Sequence, residues 1–151
     1  MKQSKPRYNH ITKRKLCQIS VAVLIPLLNL SEWNIKLRFT RRLANIAECY
    51  AQPEYKKAEI VVHLIKLGKL SSKEVITMSL HELLHCITWE VTTWNARLSG
   101  TNEHRSEHSR QLDEHLQTDL ERILYPLIES AVLSRLQMLG YKKLDLTTTQ
   151  T

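Results

Sequence analysis

Glycine and proline are scarce in this chain, at three and four of 151 residues. Both are the usual material of tight turns, and a sandwich or barrel of many short strands needs a turn about every 8–12 residues. The composition therefore points to long helices with a small sheet. A chain of 151 residues, 42% of them apolar, is large enough to bury one core without disulfides or structural staples.

Apolar spacing sets the helices. Ile11, Leu16, Ile19, Val23, Leu24, Leu27 and Leu28 recur at three- and four-residue intervals, predicting an amphipathic helix over 10–30, bent near Pro26. Ser71-x-x-Glu74 reads as a capping box opening a helix from Ser72 to about Ala96. Ser99 to Asn102 reads as a loop, and a second long helix follows from about Glu107 to Leu139, broken or kinked at Pro126.

Between the first two helices the period changes to two. Trp33 to Phe39 alternates strictly, Asn45 to Tyr50 is a weaker strand candidate, and Ala58 to Leu64 is rich in β-branched residues. Together these segments predict an α+β fold with a small three-stranded antiparallel sheet. A basic, disordered arm over 1–9, one domain over 10–144 and a flexible tail over 145–151 complete the expected organisation.

The formal net charge is +7 and the pI about 9.5. The excess gathers in the first fifteen residues and around Arg38, Arg41 and Arg42. A basic N-terminal arm of this kind suits weak nucleic-acid contact. Cys17, Cys49 and Cys86 form no CxxC pair, which fits reduced thiols in a cytoplasmic setting. Lys13-Arg14-Lys15 before the apolar run Leu16 to Leu30 imitates a signal peptide. No small-x-small cleavage site follows, however, and the run is too short and too interrupted to span a membrane.

Chemistry concentrates in His81-Glu82-Leu83-Leu84-His85, within the capped helix. Residues four apart share a helix face, so both imidazoles can reach one cation. Glu82 lies about 100° around the helix from His81, where it can reach a metal-bound water without being a ligand. Zinc suits imidazole nitrogen and, with three protein ligands, keeps a fourth position open. It lowers the pKa of a bound water to about 7, and a carboxylate can then relay the proton. Val75, Ile76, Leu80, Leu83, Leu84 and Ile87 surround the motif, and polar groups in such a segment are costly unless paired or metal-bound.

The third ligand has several candidates: Glu103, His104, Glu107, His108, Asp113, Glu114, His115 and Asp119. An inward stripe of Leu116, Leu120, Ile123, Leu124 and Leu127 favours Asp113 slightly, with Glu114 and His115 flanking it on opposite sides. His115 and Asp119 would together make a histidine ligand and its orienting carboxylate.

Laid out as Trp33-Asn-Ile-Lys-Leu37, Ala58-Glu-Ile-Val-Val62, His81-Glu-Leu-Leu-His85 and Glu114-His-Leu-Gln-Thr-Asp-Leu120, the chain resembles the small HExxH metallopeptidases of phage and prophage genomes, the minigluzincin-like group. The resemblance implies a zinc peptidase of a bacterial cytoplasm, with Glu82 as general base and Glu114, 29 positions after His85 (114 − 85), as third ligand. The Glu-x-x-x-Asp pair of thermolysin-like enzymes is absent, since Thr118 stands four residues after Glu114. The resemblance also implies that the strand Ala58 to Leu64 takes a protein or peptide substrate in extended form, through Ile60 and Val62. His63 either faces the cleft or, as is commoner near a strand end, is simply exposed, and Trp89 and Trp94 beyond the motif either shape the pocket or, more commonly, pack in the core. A rival resemblance, to SprT-like proteases, implies His104 or His108 as third ligand and substrates attached to DNA. A structural zinc or a catalytically silent interaction module are the remaining readings.

Overall fold

The computed structural model describes residues 11–98 and 107–141. The expected basic arm, the Ser99–Asn102 loop, Glu103, His104 and the 145–151 tail lie outside the described residues, as do the side chains of Trp94, Glu107 and His108. Among the described residues no helix is long and apolar enough to cross a membrane.

The fold is α+β, in the order α1 (Lys13–Leu27), β1 (Asn34–Thr40), β2 (Ala47–Gln52), a 3-10 turn (Pro53–Tyr55), β3 (Lys57–His63), α2 (Leu64–Gly68), α3 (Ser72–Leu98) and α4 (Glu107–Met138). Each long helix is set by a local signal. Thr12 caps α1, its hydroxyl accepting from the Lys15 amide. The chain then leaves α1 through Asn29 at φ 56, with Leu30 N–H donating to Ile25 and Asn29 N–H to Pro26, a Schellman closure. Gly140, at φ 79, ends the C-terminal helical segment by the same pair of bonds, from Tyr141 to Leu136 and from Gly140 to Gln137. The capping box is present in both directions: Ser71 N–H donates to Glu74 at 2.6 Å and Glu74 N–H to the Ser71 hydroxyl at 3.2 Å. Pro126 does not break α4, which runs unbroken from Glu107 to Met138.

The sheet corrects one expectation. Its order is β1-β3-β2, with β2 antiparallel to β3 but β1 parallel to it, Asn34 opposite Lys57 and Thr40 opposite His63. It is therefore mixed rather than antiparallel. The 3-10 turn and Lys56, at φ 46, fold β3 back along β2, and β3 then enters between β2 and β1. β3 has the composition for that place, because Ile60, Val61, Val62 and His63 bury side chains on both faces.

α3 packs against β2, α1 and α4. The core gathers Leu16 and Leu24 from α1, Ile60 and Val62 from β3, Val75, Ile76, Leu80, Leu83 and Leu84 from α3, and Val132 and Leu136 from α4. The inward stripe of α4 also differs from its expected place. Leu116, Ile123 and Leu127 are exposed, Leu127 by 72%, whereas Gln117, Ile128, Val132 and Leu136 are buried. Leu120 and Leu124 belong to the margin of both stripes, which is why periodicity alone chose the wrong side.

Candidate metal centre

Burial of Leu80, Leu83 and Leu84 fixes the rotation of α3 about its axis and turns His81 and His85 toward α4. The two rings meet edge to face, their centroids 4.9 Å apart. Across from them α4 brings Glu114, whose Oε2 lies 3.9 Å from His81 Nε2. One potential ligand atom each from His81, His85 and Glu114 falls within 4.8 Å of the others. Tetrahedral zinc with bonds near 2.0–2.1 Å sets its ligand atoms about 3.3 Å apart, so a modest side-chain closure brings this trio onto an ion. The donor set, two imidazoles and a carboxylate, matches that metal.

The far nitrogens of both rings are engaged. His81 Nδ1 lies 2.5 Å from Glu121 Oε1. His85 Nδ1 lies 2.5 Å from the Gln117 amide and 3.6 Å from Asp113 Oδ2. Gln117 is wholly buried and also donates to the Thr88 hydroxyl, which in turn donates to the Leu84 carbonyl. Burial acts to lower the pKa of His85, but the hydrogen bond to Asp113 and the charges of Glu82, Asp113 and Glu114 outweigh it and raise it.

Glu82 is almost completely buried, and its Oε2 has no hydrogen-bond partner among the described residues. Burial raises its carboxyl above the ordinary range, the His85 and His81 rings pull it back, and the charges of Glu114 and Glu48 push it up again. An unpartnered buried carboxylate oxygen costs free energy unless a polar group completes it, and a water held by a metal beside the two histidines is such a group. The residues present therefore fit a metal on two independent counts, the donor trio and the orphaned oxygen.

Other expected site residues are placed differently. His115 is exposed, and Asp119 is exposed and paired with Arg122; neither falls within the trio. Asp113 stands on the Nδ1 side of His85 rather than among the trio. Ile60 and Val62 are buried in the core on a strand that is paired along both edges. They cannot receive an added strand, because β3 has no open edge to offer. His63 does not face a cleft: it is buried and caps α2, its Nδ1 accepting from the Ile65 and Lys66 amides.

Sequence reasoning missed Gln117 and Glu121. Their signal was helical spacing, since residues three and seven after Glu114 share its face. It also missed the approach of Cys49 on β2 to Cys86 on α3, with Sγ atoms 4.0 Å apart. All three thiols are free, and burial pushes Cys17 up to about 11, so it stays a protonated core side chain at neutral pH. No protein-family model matches this chain and no curated protein matches it.

Proposed function

We propose that the chain is a zinc-dependent peptidase whose metal is held by His81, His85 and Glu114. The observation that carries this reading is the placement of an unpartnered, buried Glu82 oxygen beside a His-His-Glu trio within ligand reach. Zinc bound there would polarise a peptide carbonyl and make water acidic enough to be deprotonated near pH 7. Glu82 takes the proton of the attacking water on Oε2 and passes it to the leaving amine. Its raised pKa suits both halves of that relay, because a more basic carboxylate takes the proton of water more readily, and the acid so formed can still hand it to the more basic amine. An extended peptide finds its place along β2 instead of β3. β2 is an edge strand, it packs on α3, and Cys49 runs beside Cys86, next to His85. The resemblance to phage and prophage metallopeptidases supports the same reading and carries with it the proposed bacterial, cytoplasmic setting.

The test is direct. Protein purified without chelators should carry about one zinc per chain by elemental analysis, and His81→Ala should carry none. A zinc-free wild type would end the reading.

A second reading has its own observation. A cavity of ≈ 620 Å³ at the β1 side of the sheet is lined by Arg14, Lys36 and Arg38, with Glu59 as the single acid of its lining. Such a cationic groove suits a phosphate backbone, which the charge balance of the whole chain also favours. DNA binding that weakens steeply with salt, and weakens further in Lys36→Glu, is the expected result. Absence of binding at low salt removes this reading and leaves the peptidase untouched.

A further inference from the structure

The donor trio explains one nitrogen of each histidine and leaves the other to be accounted for. An imidazole binds a metal through one nitrogen only, and the proton on its second nitrogen decides which one is free. His81 lies between two carboxylates of α4, seven residues and about two turns apart. Glu114 approaches Nε2 from one side at 3.9 Å, and Glu121 meets Nδ1 on the other at 2.5 Å. Their surroundings differ as their contacts do. The Glu114 side chain is 55% exposed, whereas that of Glu121 is 18% exposed. A hydrogen bond in that drier setting is stronger and more directional than one in water.

We propose that Glu121 is the positioning residue of the site. It accepts the Nδ1 proton of His81, locks the ring in the tautomer whose Nε2 lone pair faces Glu114 and His85, and so prepares the ligand before any metal arrives. Its place, two turns beyond the ligand carboxylate, lets one helix supply both the ligand and the brace. His85 differs: its Nδ1 meets the Gln117 amide nitrogen, a donor, at 2.5 Å, and the Asp113 carboxylate lies farther off at 3.6 Å. The inference rests on the zinc reading, but its test is separable from that reading.

The experiment compares zinc affinity of the full chain and its variants by competition with a chromophoric chelator, together with the visible spectrum of the cobalt-substituted protein. Glu121→Ala should bind zinc about 10- to 100-fold more weakly than wild type, the loss usual for an outer-shell partner. Its cobalt spectrum should change as the ring loosens. Glu121→Gln should recover most of the affinity, because the amide oxygen still accepts the Nδ1 proton. Glu121→Asp, one methylene short, should not. That pair decides the matter even if the alanine variant does not fold, which circular dichroism will show. Asp119→Asn, which removes an exposed charge from the same helix, should leave affinity unchanged and so exclude a general charge effect.

Three results would overturn the proposal. Wild-type affinity and spectrum in Glu121→Ala would mean that the contact does not position the ring. Complete loss of metal in Glu121→Ala with retention in Glu114→Ala would make Glu121 the ligand instead. Loss of affinity in Glu121→Gln with retention in Glu121→Asp would point to the charge and not to the hydrogen bond. A wild type that binds no zinc fails earlier, and takes the peptidase reading with it.

Discussion

Two sides of α4 carry nearly the same chemistry and meet different fates. Toward α3 the helix presents Asp113, Glu114, Gln117 and Glu121, and away from it His115, Asp119 and Arg122. Both sides hold carboxylates, and the outer side even holds the histidine and aspartate at ligand-and-brace spacing. The outer set stays in solvent, where Asp119 and Arg122 form an exposed pair of little energetic weight. The inner set faces two histidines across a partly buried seam and forms a group that could hold a metal ion. Residue type supplies the possibility, and a facing helix decides it.

The same contrast runs along α3. Glu74 is exposed, hydrogen-bonds Ser71 through its side chain and backbone, and has its pKa lowered by those bonds. Glu82, two turns later, is buried with one oxygen unpartnered, and its pKa is raised by that burial. Two glutamates of one helix thus sit on opposite sides of their ordinary value because one is exposed with a backbone partner while the other is buried.

The largest expected effect tests Glu82 against the outer carboxylates. Glu82→Gln should lower peptide hydrolysis by about 10²–10⁴-fold, the usual worth of a general base, without changing zinc content. Asp119→Asn should alter neither. Unchanged turnover in Glu82→Gln would place the proton relay elsewhere.

Next comes the choice of ligand. Glu114→Ala should lose zinc affinity by more than the about 10- to 100-fold typical of supporting residues, whereas His115→Ala, its neighbour on the outer side, should bind zinc as wild type does. If His115→Ala lost the metal, the two sides of α4 would have to exchange roles.

Stability should separate the sides in the same way. Gln117→Ala removes a buried amide and strands its partners, at a cost of about 1–3 kcal/mol in chemical denaturation. Thr118→Ala, one residue on and exposed, should stay within about 0.5 kcal/mol of wild type. Similar losses at both positions would deny that the seam is packed as described.

The smallest effect is a difference of sign between the glutamates of α3, measured on metal-free protein. The folded pKa of Glu74 is lowered, so its contribution is present above the unfolded value and is lost as pH falls through the folded one. Glu74→Gln should therefore be less stable than wild type near neutrality and match it in acid. The folded pKa of Glu82 is raised, so the folded state holds its proton more tightly and the wild type loses stability as pH rises through that window. Glu82→Gln should be the more stable protein near neutrality, and its advantage should vanish in acid. Shifts of the same sign in both variants would undo the contrast.

Much of this was legible beforehand. The Ser71–Glu74 box and the His81–His85 spacing are relations within one or two helical turns, where backbone geometry alone fixes which side chains meet. Strand positions were also readable to within a residue or two, because alternation is local. The stripe of α4 was misread, since Leu116, Ile123 and Leu127 repeat as faithfully as the residues that are buried. Two apolar periodicities on one helix leave its rotation undetermined until a neighbour covers one of them.

What the sequence determined by itself was therefore short in range: an α+β chain, a capped helix, and two histidines and a glutamate on the turns of that helix. Tertiary structure decided the rest. It put β3 between its neighbours and closed both its edges, and it brought Glu114 within 4.8 Å of His81 and His85. It also brought Gln117 and Glu121 to rings 32 and 40 positions away. The physical reason is that contacts across such separations depend on how α3 and α4 are rotated about their axes as they pack. That rotation is set by which apolar surfaces the whole core buries together, a sum over many side chains that no single stretch of sequence contains.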